Sequence, residues 1–514
     1  LPTPGAPPRP ADGPAASGGA AADGRLGDAF ALAALVVAAL CINVHAVRHG
    51  GVDLLDEGFE YQLASRILHG EVPYRDFFTV TTPLAFYLQA LLIVAVGPGL
   101  IVGRLAAAVV GAGIAAALYL VGRRVAGRPL AFAVAAAWIP WGIPYWPQPN
   151  YSWYVILFEL LAGWAALRAG EGRGRWWLAG LLAAAAVLTK QNVGSAAAAA
   201  VAVYALWRGG GRALRGYALG TGGPVLGFLL YLAAFGALVP FWRETVVFAI
   251  HAFPSAARIP YPPLHGLRRA IARGGTGGME ALVSYLPQAV LAAGVPVLLL
   301  GLLRRKPRLP EAFLLWCLTL AGLVIAYPRS DFVHIDYALA PAFLGLGWVL
   351  AALLGGPRRL LPLPLLLVGS LALSSLRAAP DPNGGVPFGA PYMAGLRTDP
   401  GTAAMFRAVV AAIDRVVPPG RPVLVLPWAN LFYYLADRPD PTPYDLDITL
   451  NVPAGGDAAI AAAMARTHCP VFYLPHSGIS EPFRIYGAPV LAELQAHYTE
   501  TGTAGPYQIW QWRG

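Results

Sequence analysis

The strongest constraint on this chain is a series of apolar runs, each near the length that spans a bilayer, separated by short arginine-bearing loops. Roughly 20 apolar residues in a helix cross the hydrocarbon core. Eleven such spans are predicted, at about 29–47, 100–121, 130–145, 151–168, 176–189, 193–208, 217–237, 281–303, 311–327, 338–354 and 360–376. Over 514 residues the chain is 57% hydrophobic and 12% charged, about half the charge of an ordinary soluble protein. The expected fold class is a polytopic α-helical membrane protein of about 11 transmembrane helices, followed by a small α/β domain.

The loops set an orientation. With the N-terminus inside, the inside loops hold Arg123, Arg124 and Arg128, then Arg168, Arg173 and Arg175, then Arg208, Arg212 and Arg215. Arg304, Arg305, Lys306 and Arg308 follow, and then Arg358 and Arg359. That distribution obeys the positive-inside rule. It also accounts for the net charge of +10 without nucleic acid. Residues 83–96 (PLAFYLQALLIVAV) would reverse every later loop if they crossed. They are short for a span, and we read them as a helix in the interface.

The resulting domains are a disordered cytoplasmic tail (1–27), a transmembrane domain (28–376) with extracytoplasmic loops 48–99 and 238–280, and an extracytoplasmic domain (377–514). This places the protein in the plasma or inner membrane. In the last domain VLVLP (423–427) and VFYLP (471–475) are predicted strands, and 402–416, 456–467 and 482–498 predicted helices. No GxGxxG or P-loop occurs, so no nucleotide is assigned. Cys41, Cys317 and Cys469 offer neither a disulfide framework nor a CxxC metal site.

Chemistry concentrates in the loop after the first span. Asp53, Asp56, Glu57, Glu60, Glu71 and Asp76 fall close together in a chain with few acids. Asp56 and Glu57 stand where a carboxylate could deprotonate an acceptor hydroxyl, or could serve as first-turn acids of a helix. Asp76 is a second carboxylate, able to orient an acceptor or bind a divalent cation, or to pair with Arg75. Only two lysines occur, Lys190 and Lys306. Lys190, in LTKQN between two spans, suits a phosphate or snorkels to the surface. In the turn PRSDFVHIDY, Arg329 and His334 could bind phosphate, or Arg329 could pair with Asp331. Arg258 belongs to a group of cations in loop 238–280 that departs from the positive-inside pattern, and a polyprenyl phosphate headgroup is the natural anion.

The order DEGFEYQLASRILHG, PYRDF, PLAFYLQAL, VLTKQN resembles the GT-C glycosyltransferases, in particular the glycosyltransferase family 39, protein O-mannosyltransferase and aminoarabinose-transferase group. The resemblance covers about 28–376. It implies a polyprenyl-phosphate sugar donor, a protein, lipid or glycan acceptor, and inverting transfer on the outer face. It implies Asp56 as the catalytic base with Glu57 beside it, and Lys190 at the donor phosphate. It names no certain cofactor. Two departures stand out: TVTT replaces an acid before the PL motif, and QN follows the lysine. A lipid-linked sugar flippase and a non-catalytic scaffold remain alternatives.

Overall fold

A computed structural model describes residues 17–354, 358, 360–377, 385–446, 452–475 and 488–514. Helices α1 (Ser17–His49), α2 (Asp56–Leu68), α3 (Leu84–Val96), α4 (Leu100–Val125), α5 (Arg128–Trp138), α6 (Gly142–Tyr145), α7 (Tyr151–Gly170), α8 (Trp176–Thr189) and α9 (Gln191–Ala234) build the first half. Short helices α10 (Leu238–Trp242), α11 (Ala249–His251), α12 (Phe253–Ala256), α13 (Leu264–Arg273) and α14 (Gly275–Val283) follow, with a π-helical turn at Arg243–Phe248. Helices α15 (Leu286–Leu303), α16 (Leu309–Leu323), α17 (Phe332–Leu353) and α18 (Pro362–Arg377) complete the bundle. Among the described residues seven helices are long and apolar enough to cross a membrane. Trp176–Thr189 and Pro362–Ser375 are shorter apolar helices, as is Leu84–Val96, the predicted interfacial segment.

Three differences from the sequence reading have local causes. Residues 17–27 of the expected tail are helical and open α1, while 1–16 lie outside the described residues. The predicted span 130–145 breaks after Trp138. Pro140 supplies no amide hydrogen there, and α6 is a separate turn. Spans 193–208 and 217–237 are two arms of α9, which reverses at Gly210, where φ is 62° and ψ −160°. Glycine adopts that conformation without a Cβ clash. The Tyr217 hydroxyl donates to the Ala198 carbonyl at 2.7 Å, tying the arms together.

The arginine loops gather at one end of the bundle. Arg128 reaches Asp28 at 2.7 Å, Arg124 reaches Glu171 at 2.9 Å and Arg208 reaches Glu311 at 3.1 Å. Between the ends lies an aromatic and alanine-rich core, in which Trp153 and Tyr337 meet edge to face at 4.5 Å.

At the other end sits the C-terminal domain. Its helices are α19 (Pro400–Val416), α20 (Leu431–Ala436), α21 (Gly456–Thr467) and α22 (Ala488–His497). Strands β1 (Val386–Pro387) and β2 (Arg397–Thr398) form a small ribbon. Strands β3 (Leu424–Leu426), β4 (Val471–Tyr473), β5 (Tyr498–Ala504) and β6 (Tyr507–Trp512) form a sheet in the order β3-β4-β6-β5. The β3–β4 pair is parallel, with Val425 opposite Phe472, and α21 makes the crossover. The β5–β6 hairpin was not predicted. Thr499–Thr503 are exposed and polar, so β5 shows no buried alternation. Of the predicted helix 482–498, residues 482–487 lie outside the described residues and Tyr498 begins β5.

This domain holds α2 against the bundle. A Cβ on Gly58 would lie 2.3 Å from Asn430 Oδ1, so only glycine allows that approach. Arg66 of α2 bonds Asp445 at 3.2 Å, the Thr442 carbonyl at 3.1 Å, Glu71 at 2.7 Å and the Asp76 carbonyl at 3.0 Å. Phe78 N–H donates to the Pro443 carbonyl at 2.8 Å. The segment after the first span is thus fixed from both sides.

Candidate active site

Helix α2 begins where Asp53 Oδ1 accepts the amides of Leu55 and Asp56, at 2.8 and 2.6 Å. That cap turns the half-buried Asp56 side chain into a small cavity of about 90 Å³. Phe59, Ser152, Arg329, His334 and Tyr337 line the same space. Burial, with the neighbouring Asp53 charge, raises the Asp56 carboxyl to about 7, against the pull of Arg329 and Lys190.

One turn along α2 lies Glu60, almost fully buried. Its Oε1 accepts the Tyr151 amide at 2.6 Å, at the N-terminus of α7. Helix N-termini attract anions, yet burial dominates and lifts Glu60 to about 8. Glu60 belongs to the acidic group after the first span but is not among the candidate site residues of the sequence. Its spacing of four from Asp56, which puts the two on one helix face, was the available signal.

A second cavity, about 290 Å³, contains Lys190, Gln191 and Asn192. Val80, Thr81, Tyr151, Phe253, Arg329 and His334 line both cavities, so the two adjoin. Lys190 sits in extended backbone between α8 and α9. Its Nζ donates to Ser152 Oγ at 3.2 Å and lies 4.8 Å from the Tyr151 ring centre. Burial lowers its ammonium to about 7, opposed by Asp56 and Glu60. Ser152 is held in turn by the Asn150 cap of α7, at 2.8 Å.

Arg329 pairs with Asp331 at 2.6 Å, and His334 Nδ1 meets the other Asp331 oxygen at 2.8 Å. Asp331 also caps α17 through the His334 amide at 3.1 Å. The ion pair expected as the alternative to phosphate binding is therefore present, and both Arg329 and His334 still face the cavities.

Four predicted site residues, Asp56, Lys190, Arg329 and His334, converge in this way. The other three do not. Glu57 points away, fully buried, with both oxygens on Arg104 at 2.7 Å. Adjacent positions on a helix diverge by about 100°, so Asp56 and Glu57 cannot face one space. Asp76 bonds Arg75 at 2.6 Å and the Val72 amide at 2.7 Å, outside both cavities. Arg258 is exposed and lines neither cavity. Among the described residues no group of three or more His, Cys, Asp or Glu is arranged for a metal ion.

No family model and no curated protein sequence matches this chain. Its architecture does have solved counterparts. ArnT from Cupriavidus metallidurans, in the apo state, superposes with a TM-score of 0.56 at 15% identity, over 95% of this chain and 98% of that one. The chain has the GT-C fold. An oligosaccharyltransferase from Archaeoglobus fulgidus, in a complex with zinc and sulfate, gives a TM-score of 0.51 at 14% identity over 85% of this chain and 67% of that one. The mycobacterial arabinofuranosyltransferase AftD gives 0.50 at 15%, over 94% of this chain and 40% of that one.

The two departures from the GT-C pattern meet in space. Gln191 Nε2 donates to the Val80 carbonyl at 2.7 Å, and its Oε1 accepts the Thr82 amide at 3.2 Å. Thr82 Oγ1 donates to the Val187 carbonyl at 2.7 Å. Thr79 N–H donates to Glu244 at 2.9 Å, and the Thr81 carbonyl accepts from Tyr74 at 2.9 Å. The TVTT polar groups named here are spent on holding the loop.

Proposed function

We propose that this protein is a membrane glycosyltransferase that moves a sugar from a polyprenyl-phosphate donor to a hydroxyl acceptor on the extracytoplasmic face. One observation carries the reading: the Asp56 cavity adjoins the Lys190 cavity, with Arg329 and His334 lining both. A base and a phosphate site side by side are what a single displacement at an anomeric carbon needs.

In that reaction Asp56 takes the acceptor hydroxyl proton as the oxygen attacks C1. The bond from C1 to the phosphate oxygen breaks on the opposite face, inverting the centre. The polyprenyl phosphate leaves with the bonding electron pair. Lys190 and Arg329 stabilise the charge that grows there. His334, oriented by Asp331, can donate to the same phosphate.

Access fits the substrates. Ile250 and Tyr327 line the Lys190 cavity and are strongly exposed, giving a prenyl chain a side entry from the bilayer. A third cavity, about 690 Å³, lies across the Arg243–His251 segment, lined by Tyr74, Phe78, Phe248 and Tyr444. Phe78, Ala252 and Tyr444 line it, whereas Val80, Phe253 and Leu446 line the Asp56 cavity. An acceptor seated there lies one wall from the base. The arginine-rich end, read as cytoplasmic, is opposite.

The test is transfer from a panel of polyprenyl-phosphate sugars in proteoliposomes. Wild type should label an acceptor, and Asp56→Asn should not while remaining folded. A second reading, a lipid-linked sugar flippase, is favoured by Glu159. That carboxyl is fully buried in α7, and neither oxygen has a hydrogen-bond partner among the described residues. Ionisable groups inside membranes often mark transport paths. Lipid-sugar flux without transfer would select that reading.

A further inference from the structure

The TVTT loop and the turn after Lys190 make one device. Gln191 follows Lys190 and sits half-buried beside the donor cavity. Its side chain makes three bonds to three separated backbone groups. Nε2 donates to the Val80 carbonyl at 2.7 Å and to the Thr245 carbonyl at 3.2 Å. Oε1 accepts the Thr82 amide at 3.2 Å. Val80 and Thr81 form the wall shared by the two cavities, and Thr245, in the π-helical turn, lines the donor cavity. π-Helical turns are frequent at functional sites.

We propose that Gln191 is a positioning residue for glycosyl transfer. It holds the Val80–Thr82 wall and the Thr245 turn at a set distance from Lys190, and so sets the gap between donor phosphate and base. An uncharged amide donates and accepts at once, and does so at every pH. Where the GT-C resemblance leads to an acid before the PL motif, this chain has a hydroxyl-rich loop and an amide that clamps it. The proposal rests on the transferase reading. It predicts a cost in chemistry, because misplacement of reacting groups lowers the rate without weakening a phosphate contact.

The experiment uses full-length protein in nanodiscs with a polyprenyl-phosphate sugar as donor. Gln191→Ala should lower kcat by about tenfold or more, with donor KM within about twofold of wild type. Unchanged kcat overturns the proposal. So does a donor KM that rises more than kcat falls, since Gln191 would then bind the donor itself. Gln191→Glu covers the case in which the alanine variant misfolds. Its carboxylate accepts from Thr82 but donates to Val80 only when protonated. Its rate relative to wild type should rise as pH falls, and a flat ratio overturns the clamp.

A readout without substrate separates this proposal from the transferase reading. Lys306→Arg leaves Lys190 as the single lysine of the chain. In that background the Lys190 ε-carbon NMR signal should titrate at higher pH in Gln191→Ala, because a loosened wall admits water. Asp56, Glu60, Arg329 and His334 surround the amine and are unchanged in the comparison. If wild type transfers no sugar, the transferase reading fails. An unmoved Lys190 midpoint then overturns the clamp on its own.

Discussion

Arg104 holds both oxygens of Glu57, each at 2.7 Å, where neither side chain meets solvent. Arg104 also donates to the carbonyls of Val47, Gly50 and Gly51, at 2.9, 3.0 and 2.8 Å. The pair therefore welds the end of α1, the start of α2 and α4 together. Its neighbour Asp56 lines the small cavity instead. Helix phase alone sends two adjacent acids to different surroundings.

Glu57→Ala should consequently damage folding. Removing one partner of a buried pair leaves an uncompensated charge, at a cost of roughly 3–5 kcal/mol. Thermal unfolding in detergent should show a large fall in Tm. A Tm equal to wild type would mean that the Arg104 site is hydrated or rebuilt.

Asp56→Asn should instead spare folding and lower transfer by about 10²–10⁴-fold, the range for a general base. The wild-type rate should fall as pH drops through about 7, because the base must be ionised. Stability follows the opposite sign. A carboxyl raised by folding favours the folded state below its unfolded value, and that contribution is lost as pH rises through about 7. Asp56→Asn should then match or exceed wild-type Tm at pH 8 and lose the advantage near pH 4. A pH-rate profile and a pH series of melts check both halves.

Lys190→Met should reduce transfer by about 10²–10³-fold, the scale for losing one preorganised charge contact. Lys190→Arg should not rescue it fully, since a planar fork fits a point-charge site poorly. The Ser152 hydroxyl and the Tyr151 ring are shaped around the compact ammonium. Steady-state rates for the two variants decide the point.

Glu159→Leu should stabilise the bundle. A buried carboxyl with neither oxygen hydrogen-bonded among the described residues carries a desolvation penalty of about 1–3 kcal/mol. Transfer should persist, because α7 contributes Tyr151 and Ser152 to the site from its far end. Loss of lipid-sugar flux in this variant, with no transfer in wild type, would favour the flippase reading.

Much of the architecture was legible because a bilayer imposes length on every crossing segment. The apolar runs, the arginine loops and the short apolar helix at 84–96 follow from that constraint. Asp56 and Lys190 stood out as an acid after a span and a lysine among arginines. Glu60 did not, and Gln191 stood out only as a departure after the lysine, since their partners Tyr151 and Val80 lie more than 50 residues away. For Asp76 the sequence left a site role and a pairing with Arg75 both open, and the structure contains the pairing, with a further bond from the Val72 amide.

By itself the sequence determined the membrane class and the group of residues worth testing, because burial in lipid is a local property of each segment. Only the tertiary structure decided which acid faces the lysine, that TVTT and Gln191 form one contact, and that the C-terminal domain pins α2. Those outcomes depend on helix phase and on contacts between segments hundreds of residues apart, such as Arg66 with Asp445. No local pattern carries that information.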